Sequence, residues 1–192
     1  MANVGIQIFQ TIVVIEEREM MGMSKLYIMM GTPGSGKSTW CAKHINFQKD
    51  VYISRDSIRF SLLAADEPYF SHENQVYKEF INKINIALSH EENVYADQTS
   101  LDSRARKKLI NSLSQKPDEI HVIWIKTPLN ECLRYNSKRT GLERVPEQSI
   151  IQMYHKQERP NWSEGIKYLH IIENEKEEIV DLEKEALEEW SL

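Results

Sequence analysis

This sequence predicts an α/β fold, a parallel sheet of about five strands flanked by helices. Three observations carry that prediction. Short apolar runs alternate with amphipathic helical patterns, as strand–helix–strand crossovers require. Several runs are apolar at successive positions, so both of their faces would be buried, as in the inner strands of a parallel sheet. A glycine-rich turn joins the first run to a helical pattern. The 192 residues suit one domain with one substantial core, and 41% hydrophobic with 28% charged residues is ordinary for a globular protein.

The strands are expected at 26–30, 51–54, 93–96, 120–126 and 168–172. Between the second and third, Tyr77, Phe80, Ile81, Ile84 and Leu88 recur at helical spacing, while Lys78, Glu79, Asn82 and Lys83 fall mainly on the other side. Ala105, Leu109 and Leu113 form the next stripe, which Pro117 ends. Thr127-Pro128 reads as a helix start, a capping hydroxyl followed by a proline whose missing N–H costs nothing there. Another helix begins at Pro146 and runs through Met153. Trp40 is expected to pack from the helix after the glycine turn, and Trp124 to lie in the core. For Tyr52, Tyr69 and Phe70, packing is preferred to stacking on nucleobases.

The two ends depart from this pattern. Residues 1–22 are an N-terminal extension, read either as an extra strand or, by slight preference, as foreign to the natural chain, because Met23-Ser24-Lys25 makes a natural start. Residues 173–192 read as an acidic C-terminal helix or tail, with Ile179, Leu182, Ala186 and Trp190 as one docked apolar stripe in preference to a partner-binding tail. The folded unit is therefore expected at 23–172. The net charge of −5 is uneven: 173–192 hold nine acidic and two basic residues, 1–22 hold three and one, and the remainder carries +4. That mild positive charge permits a polyanionic substrate without demanding one. Cys41 and Cys132 have no metal spacing and read as buried, reduced thiols, and the six histidines form no metal or triad pattern. The apolar stretch 6–15 is too short for a bilayer and lacks signal-peptide features, which points to a cytoplasmic protein without membrane contact or obligate protein partner.

The turn Gly31-Thr32-Pro33-Gly34-Ser35-Gly36-Lys37-Ser38-Thr39 fits G-x-x-x-x-G-K-[ST] completely. Its glycines let backbone N–H groups turn inward onto phosphate oxygens, and the following helix adds the positive end of its dipole. Lys37 is expected to reach the β- and γ-phosphates of ATP, and the Ser38 hydroxyl to ligate Mg²⁺. Chance gives such a match on the order of once in a hundred chains of this length. The preceding strand and following helix make it rarer still.

Such a loop alone does not separate kinases from other users of ATP. The second strand ends in Ser54-Arg55-Asp56, and a carboxylate past that end would face the γ-phosphate, where it either takes the proton of an acceptor hydroxyl or caps a helix. The third strand ends in Asp97-Gln98-Thr99, a loose Walker B pattern in which Asp97 would hold Mg²⁺. Arg134, Lys138, Arg139 and Arg144 crowd a helix end, where they form a cationic lid or simply favour the helix terminus.

Residues 31–40, Ser54-Arg55-Asp56-x-x-Arg59, Asp97-x-Thr99, and Asn136-Ser137-Lys138-Arg139 followed by Val145-Pro146 together resemble the kinase domain of phage-type polynucleotide kinases. The stretch Met153 to Pro160, then Glu164-Gly165, is similar to the corresponding part of polynucleotide kinase/phosphatases. The likeness covers about residues 25–172. It implies a P-loop kinase-type sheet with a short helical lid, Asp56 as general base for a nucleic-acid 5′-hydroxyl, and Arg59 on a substrate phosphate. It also implies Arg139 bracing the transferring phosphoryl group, with Thr99, Arg134 and Lys138 on the substrate side. Two departures stand out: no stretch after residue 172 is long enough for a phosphatase domain, and the basic charge is modest for a long nucleic-acid groove. A small-molecule hydroxyl kinase is the alternative, and a non-catalytic ATP-binding module is a third reading, which Asp56 and Arg139 argue against.

Overall fold

The run with the fewest polar side chains takes the centre of the sheet. In the computed structural model, which describes residues 23–190, β1 (Lys25–Met30) buries Leu26, Ile28, Met29 and Met30 completely. It pairs in parallel with β3 (Asn93–Asp97) on one side and β4 (Glu119–Ile125) on the other, so that Ile28 lies opposite Ala96 and Val122. With β2 (Asp50–Ser54), β5 (Tyr168–Glu173) and β6 (Lys176–Asp181), the sheet has six strands in the order β2-β3-β1-β4-β5-β6. The first five are parallel, and β6 runs antiparallel to β5.

Helices cover both faces. On one, Leu26, Ile28, Met30, Val94, Val122 and Leu169 pack against Ile58 of α2 (Arg55–Leu62), Phe80 and Ile84 of α3 (Glu73–Ser89) and Leu109 of α4 (Ser103–Ser112). Each such side chain contributes about 1.5–3 kcal/mol by leaving water. On the other, Met29, Ile123, Ile125 and Ile172 meet Cys41 and Ile45 at α1 (Lys37–His44), with Trp40 and Tyr52 half-buried beside them. Trp124 is half-buried against the larger cluster and donates its Nε1–H to Gln157. Both cysteines are free and buried, and burial pushes the Cys41 thiol up to about 12. No helix among the described residues is long and apolar enough to cross a membrane.

The sequence reading needs correction at the C-terminal side. The spacing of Ile179, Leu182, Ala186 and Trp190 predicts one helix, but Ile179 lies in β6 and only 182–189 are helical, as α7 (Leu182–Glu189). A turn at Asn174-Glu175, both at positive φ, folds β6 back on β5, and the Asp181 carboxylate caps α7 by accepting from the N–H groups of Glu183 and Lys184. Leu182 is buried, whereas Ile179 and Trp190 are exposed, so no single stripe docks. The expected extension at 1–22 lies outside the described residues.

Thr127 is a second correction. α5 (Leu129–Ser137) starts after Pro128 with no side-chain cap, and the Thr127 hydroxyl instead donates to the carbonyl of Ser35 at 2.8 Å. Phe70 is a third: it is 70% exposed rather than packed. The parallel arrangement delivers the glycine turn and the segments after β2, β3 and β4 to the carboxyl edge of the sheet, where ligands of such folds bind.

Candidate active site

The glycine turn occupies residues 31–36 between β1 and α1. Two of its glycines are required by geometry. Gly34 has φ +84°, and a Cβ there would lie 2.3 Å from the carbonyl oxygen of Cys132 in α5. Gly36 caps α1 in the left-handed region, at φ +96°. Lys37 curls back so that its ammonium donates to the carbonyls of Gly31 (2.7 Å) and Thr32 (3.3 Å). The hydroxyls of Thr32 and Ser35 are buried without a protein partner, which fits a loop built to hand donors to an anion.

Charged groups converge on Lys37. Burial pushes its ammonium below the ordinary lysine range; the Asp97 carboxylate opposes that, Arg139 reinforces it, and Asp56 opposes it again. Three predicted residues from three different segments are thus near enough to act on this one ammonium through space. Asp97, at the end of β3, is buried and accepts from the Tyr52 hydroxyl at 2.5 Å and the Ser38 hydroxyl at 3.4 Å. Among the described residues no cluster of three metal-ligating side chains is present. Ser38 and Asp97 nonetheless fit Mg²⁺, which prefers one or two protein oxygens together with phosphates and water.

At the end of β2, Ser54 and not Asp56 caps α2, its hydroxyl accepting from Ser57 N–H at 3.2 Å. That frees the Asp56 carboxylate, which stands exposed. Its Oδ1 accepts from Arg59 and from the Tyr69 hydroxyl (2.8 Å), and Oδ2 has no partner among the described residues. Burial, then the Asp56 charge, pushes the Tyr69 phenol up to about 12. Arg59 is only 5% exposed; it is held by Asp56, Tyr69 and Glu73 and lies 4.3 Å over the Tyr69 ring. Contact with a substrate phosphate would require it to change partners. Arg55, which the sequence did not single out as a site residue, bonds Glu73 and Gln98, tying the ends of α2, α3 and β3 together. Thr99 is exposed beside this network.

The segment expected as a lid comprises α5, a short turn at Gly141–Glu143, and α6 (Glu147–His155). Asn136 is fully buried at the end of α5; it donates to Val145 O at 2.7 Å and accepts from Val145 N–H at 3.0 Å, closing the loop that carries Arg139. Arg139 reaches a cleft of about 890 Å³ that it shares with Gly34–Gly36, Trp40, Tyr135 and the Asn174–Glu177 turn. No carboxylate among the described residues pairs with it. Arg134, by contrast, is bound by Glu131 and lies over Tyr135, and Lys138 is exposed near the same ring.

A family model described as an AAA domain matches residues 26–160. The chain is 28% identical over 148 residues to L-seryl-tRNA(Sec) kinase of Methanococcus maripaludis, covering 74% of this chain and 54% of that protein. Its fold is similar to a chain of the Pnkp1/Rnl/Hen1 RNA repair complex, with a TM-score of 0.58, 23% identity and coverage of 70% of this chain and 44% of that one. It is also similar to Kti12 of Chaetomium thermophilum in complex with ADP-AlF3, with a TM-score of 0.56, 16% identity and coverage of 86% and 97%. The chain thus spans about half of the first two relatives.

Proposed function

The chain belongs to the AAA domain family and has the P-loop kinase fold, and from that footing we propose that it transfers the γ-phosphate of ATP to a 5′-hydroxyl end of DNA or RNA. The observation that carries this reading is the setting of Asp56: one carboxylate oxygen is fixed by Arg59 and Tyr69, the other has no partner among the described residues, and its charge reaches Lys37 as those of Asp97 and Arg139 do. A carboxylate so placed can take the proton of an acceptor hydroxyl. The hydroxyl oxygen then bonds to the γ-phosphorus as the bond from that phosphorus to the bridging oxygen breaks, and ADP leaves with the electron pair. Lys37 and Arg139 face the negative charge spread over the moving group. Mg²⁺, held by Ser38 and Asp97, would supply further neutralisation of the phosphates. We take 23–172 as the catalytic unit, with 173–192 an acidic addition at the sheet edge and 1–22 a preceding extension.

The acceptor is the finer part of the proposal. One relative is named for a tRNA substrate and one for RNA repair, which supports an RNA-borne hydroxyl. The first also favours a second reading, a small hydroxyl such as a seryl group carried on tRNA. The test is transfer of labelled γ-phosphate to 5′-hydroxyl DNA and RNA oligonucleotides, run beside seryl-tRNA and free small hydroxyls. Asp56→Asn should lower turnover about 10²–10⁴-fold with ATP binding retained. Measurable ATP binding without transfer to any oligonucleotide would overturn the polynucleotide reading, and transfer to seryl-tRNA alone would establish the second.

A further inference from the structure

Beside Asp56 lies a group of aromatic rings that neither the core nor the phosphate site uses. Phe60 on α2 and Tyr69 and Phe70 on the loop to α3 meet edge to face: Tyr69 and Phe70 at 4.8 Å between centroids and 89°, Phe60 and Tyr69 at 6.1 Å and 68°. Phe70 is 70% exposed and Phe60 37%. Leaving so much of a phenyl ring in water forgoes burial free energy.

The loop that displays Phe70 is built rather than slack. The Glu67 carboxylate accepts from Ala64 N–H at 2.9 Å and lies 2.9 Å from His72 Nε2, while Ser71 N–H donates to Pro68 O. Arg59 underlies both Tyr69 and Phe70, at 4.3 and 5.8 Å from their centroids. Tyr69 joins this group to the chemistry, because its hydroxyl sits on the same carboxylate that would receive the acceptor proton. In a nucleotide the 5′-oxygen and the base are separated by one sugar, and here a fixed aromatic ring begins one hydrogen bond from Asp56.

We propose that Phe70, supported by Tyr69 and Phe60, stacks on the nucleobase of the acceptor's terminal nucleotide, so that the site takes unpaired 5′-hydroxyl ends. This rests on the polynucleotide reading above and adds to it a requirement for an accessible base. Stacking on an aromatic side chain is sequence-tolerant, so any of the bases serves.

The experiment compares the full chain with Phe70→Ala and Phe70→Leu on two single-stranded 5′-hydroxyl oligonucleotides, one ordinary and one abasic at its terminal nucleotide. With the ordinary acceptor, Phe70→Ala should raise KM roughly 5- to 150-fold with a smaller effect on kcat. Phe70→Leu keeps apolar bulk without a π-face and should fall between. The abasic acceptor should show the raised KM with the unaltered protein and little further change in either variant. Equal kcat/KM for ordinary and abasic acceptors, or equal losses on both in the variants, overturns the platform while leaving the polynucleotide reading intact. Absence of transfer to every oligonucleotide overturns both.

Discussion

Asn136 offers the sharpest test of how the lid is held. Its side chain makes two hydrogen bonds to one backbone unit, Val145, and bridges the loop that places Arg139 over the phosphate turn. Asn136→Ala removes both. Each is worth about 1 kcal/mol net, and an N–H or C=O left dry costs about 1–3 kcal/mol. Val145 is half-buried and residues 142–144 are exposed, so water can reach the freed groups and the lower end applies. A local loss of about 2–3 kcal/mol follows, which lowers hydrogen-exchange protection of the loop about 30- to 150-fold. The reporting amides are Val145, Arg139 (bonded to Asn136 O) and Arg144 (bonded to Gly141 O). Turnover should fall about 10- to 100-fold, because small misplacement of a group that meets the transition state is costly. Val145→Ala keeps both backbone bonds and should keep the protection. If Asn136→Ala instead lowers global stability while Arg139 and Arg144 stay protected and turnover is unchanged, Asn136 is a packing residue and the lid argument fails.

Two further perturbations probe the phosphate turn and the far end of the sheet. Gly34→Ala drives a Cβ against the Cys132 carbonyl at positive φ and should weaken ATP binding about tenfold or more by titration; Gly36→Ala, which meets nothing within 4 Å, bears only the backbone strain and should cost less. His121 is buried in β4 against Glu119, with His170, Tyr27 and Tyr168 packed around it, and burial pushes its pKa down to about 4. The folded protein therefore binds this proton less readily than the unfolded chain, and stability falls as pH drops from about 6.5 to 4, by up to about 3 kcal/mol. Denaturant unfolding across that range should show the slope, and His121→Gln should flatten it; an unchanged slope would assign the acid sensitivity elsewhere.

The inner parallel strands were legible because burial on both faces leaves an unbroken apolar record, as in Leu26 to Met30. β6 left no such record. As an edge strand it carries Lys176, Glu177, Glu178 and Asp181, charges that discourage pairing with another chain and also erase the alternation by which a strand is read. The phosphate turn was fully legible, since its chemistry is local. Asp56 was legible as a position but not as a state: in sequence its carboxylate could act on a hydroxyl or cap a helix, and only three-dimensional structure shows that Ser54 takes the cap. The resemblance puts Arg59 on a substrate phosphate, and its ion pair with Glu73 was not legible, because Glu73 lies fourteen residues on across a loop whose path no periodicity gives. Thr127 fits a helix cap in sequence, yet its hydroxyl serves the Ser35 carbonyl ninety-two positions away.

The motifs singled out in the sequence separate into two physical groups. Asp56, Asp97 and Arg139 bring charge within range of Lys37, and the Ser38 hydroxyl bonds Asp97. The later group does something different. Glu164 is completely buried and grips Arg106 of α4 with two bonds, Nε to Oε2 at 2.8 Å and Nη2 to Oε1 at 2.9 Å, while its Oε1 also accepts from Asn161 N–H. Arg106 in turn donates to the carbonyl of Ser100, and the Glu158 carboxylate accepts from Ser103 N–H at the start of α4. Such a pair adds little net stability against an apolar replacement, yet losing one partner strands a buried charge at a cost of about 3–5 kcal/mol. Its position explains why it would be kept: it anchors the segment between Asp97 and α4, and hence the loop carrying Gln98 and Thr99, to a turn sixty residues further on. Membership of the matched pattern is therefore no guide to which residues act on substrate, since Glu164 belongs to it and yet spends both carboxylate oxygens on Arg106.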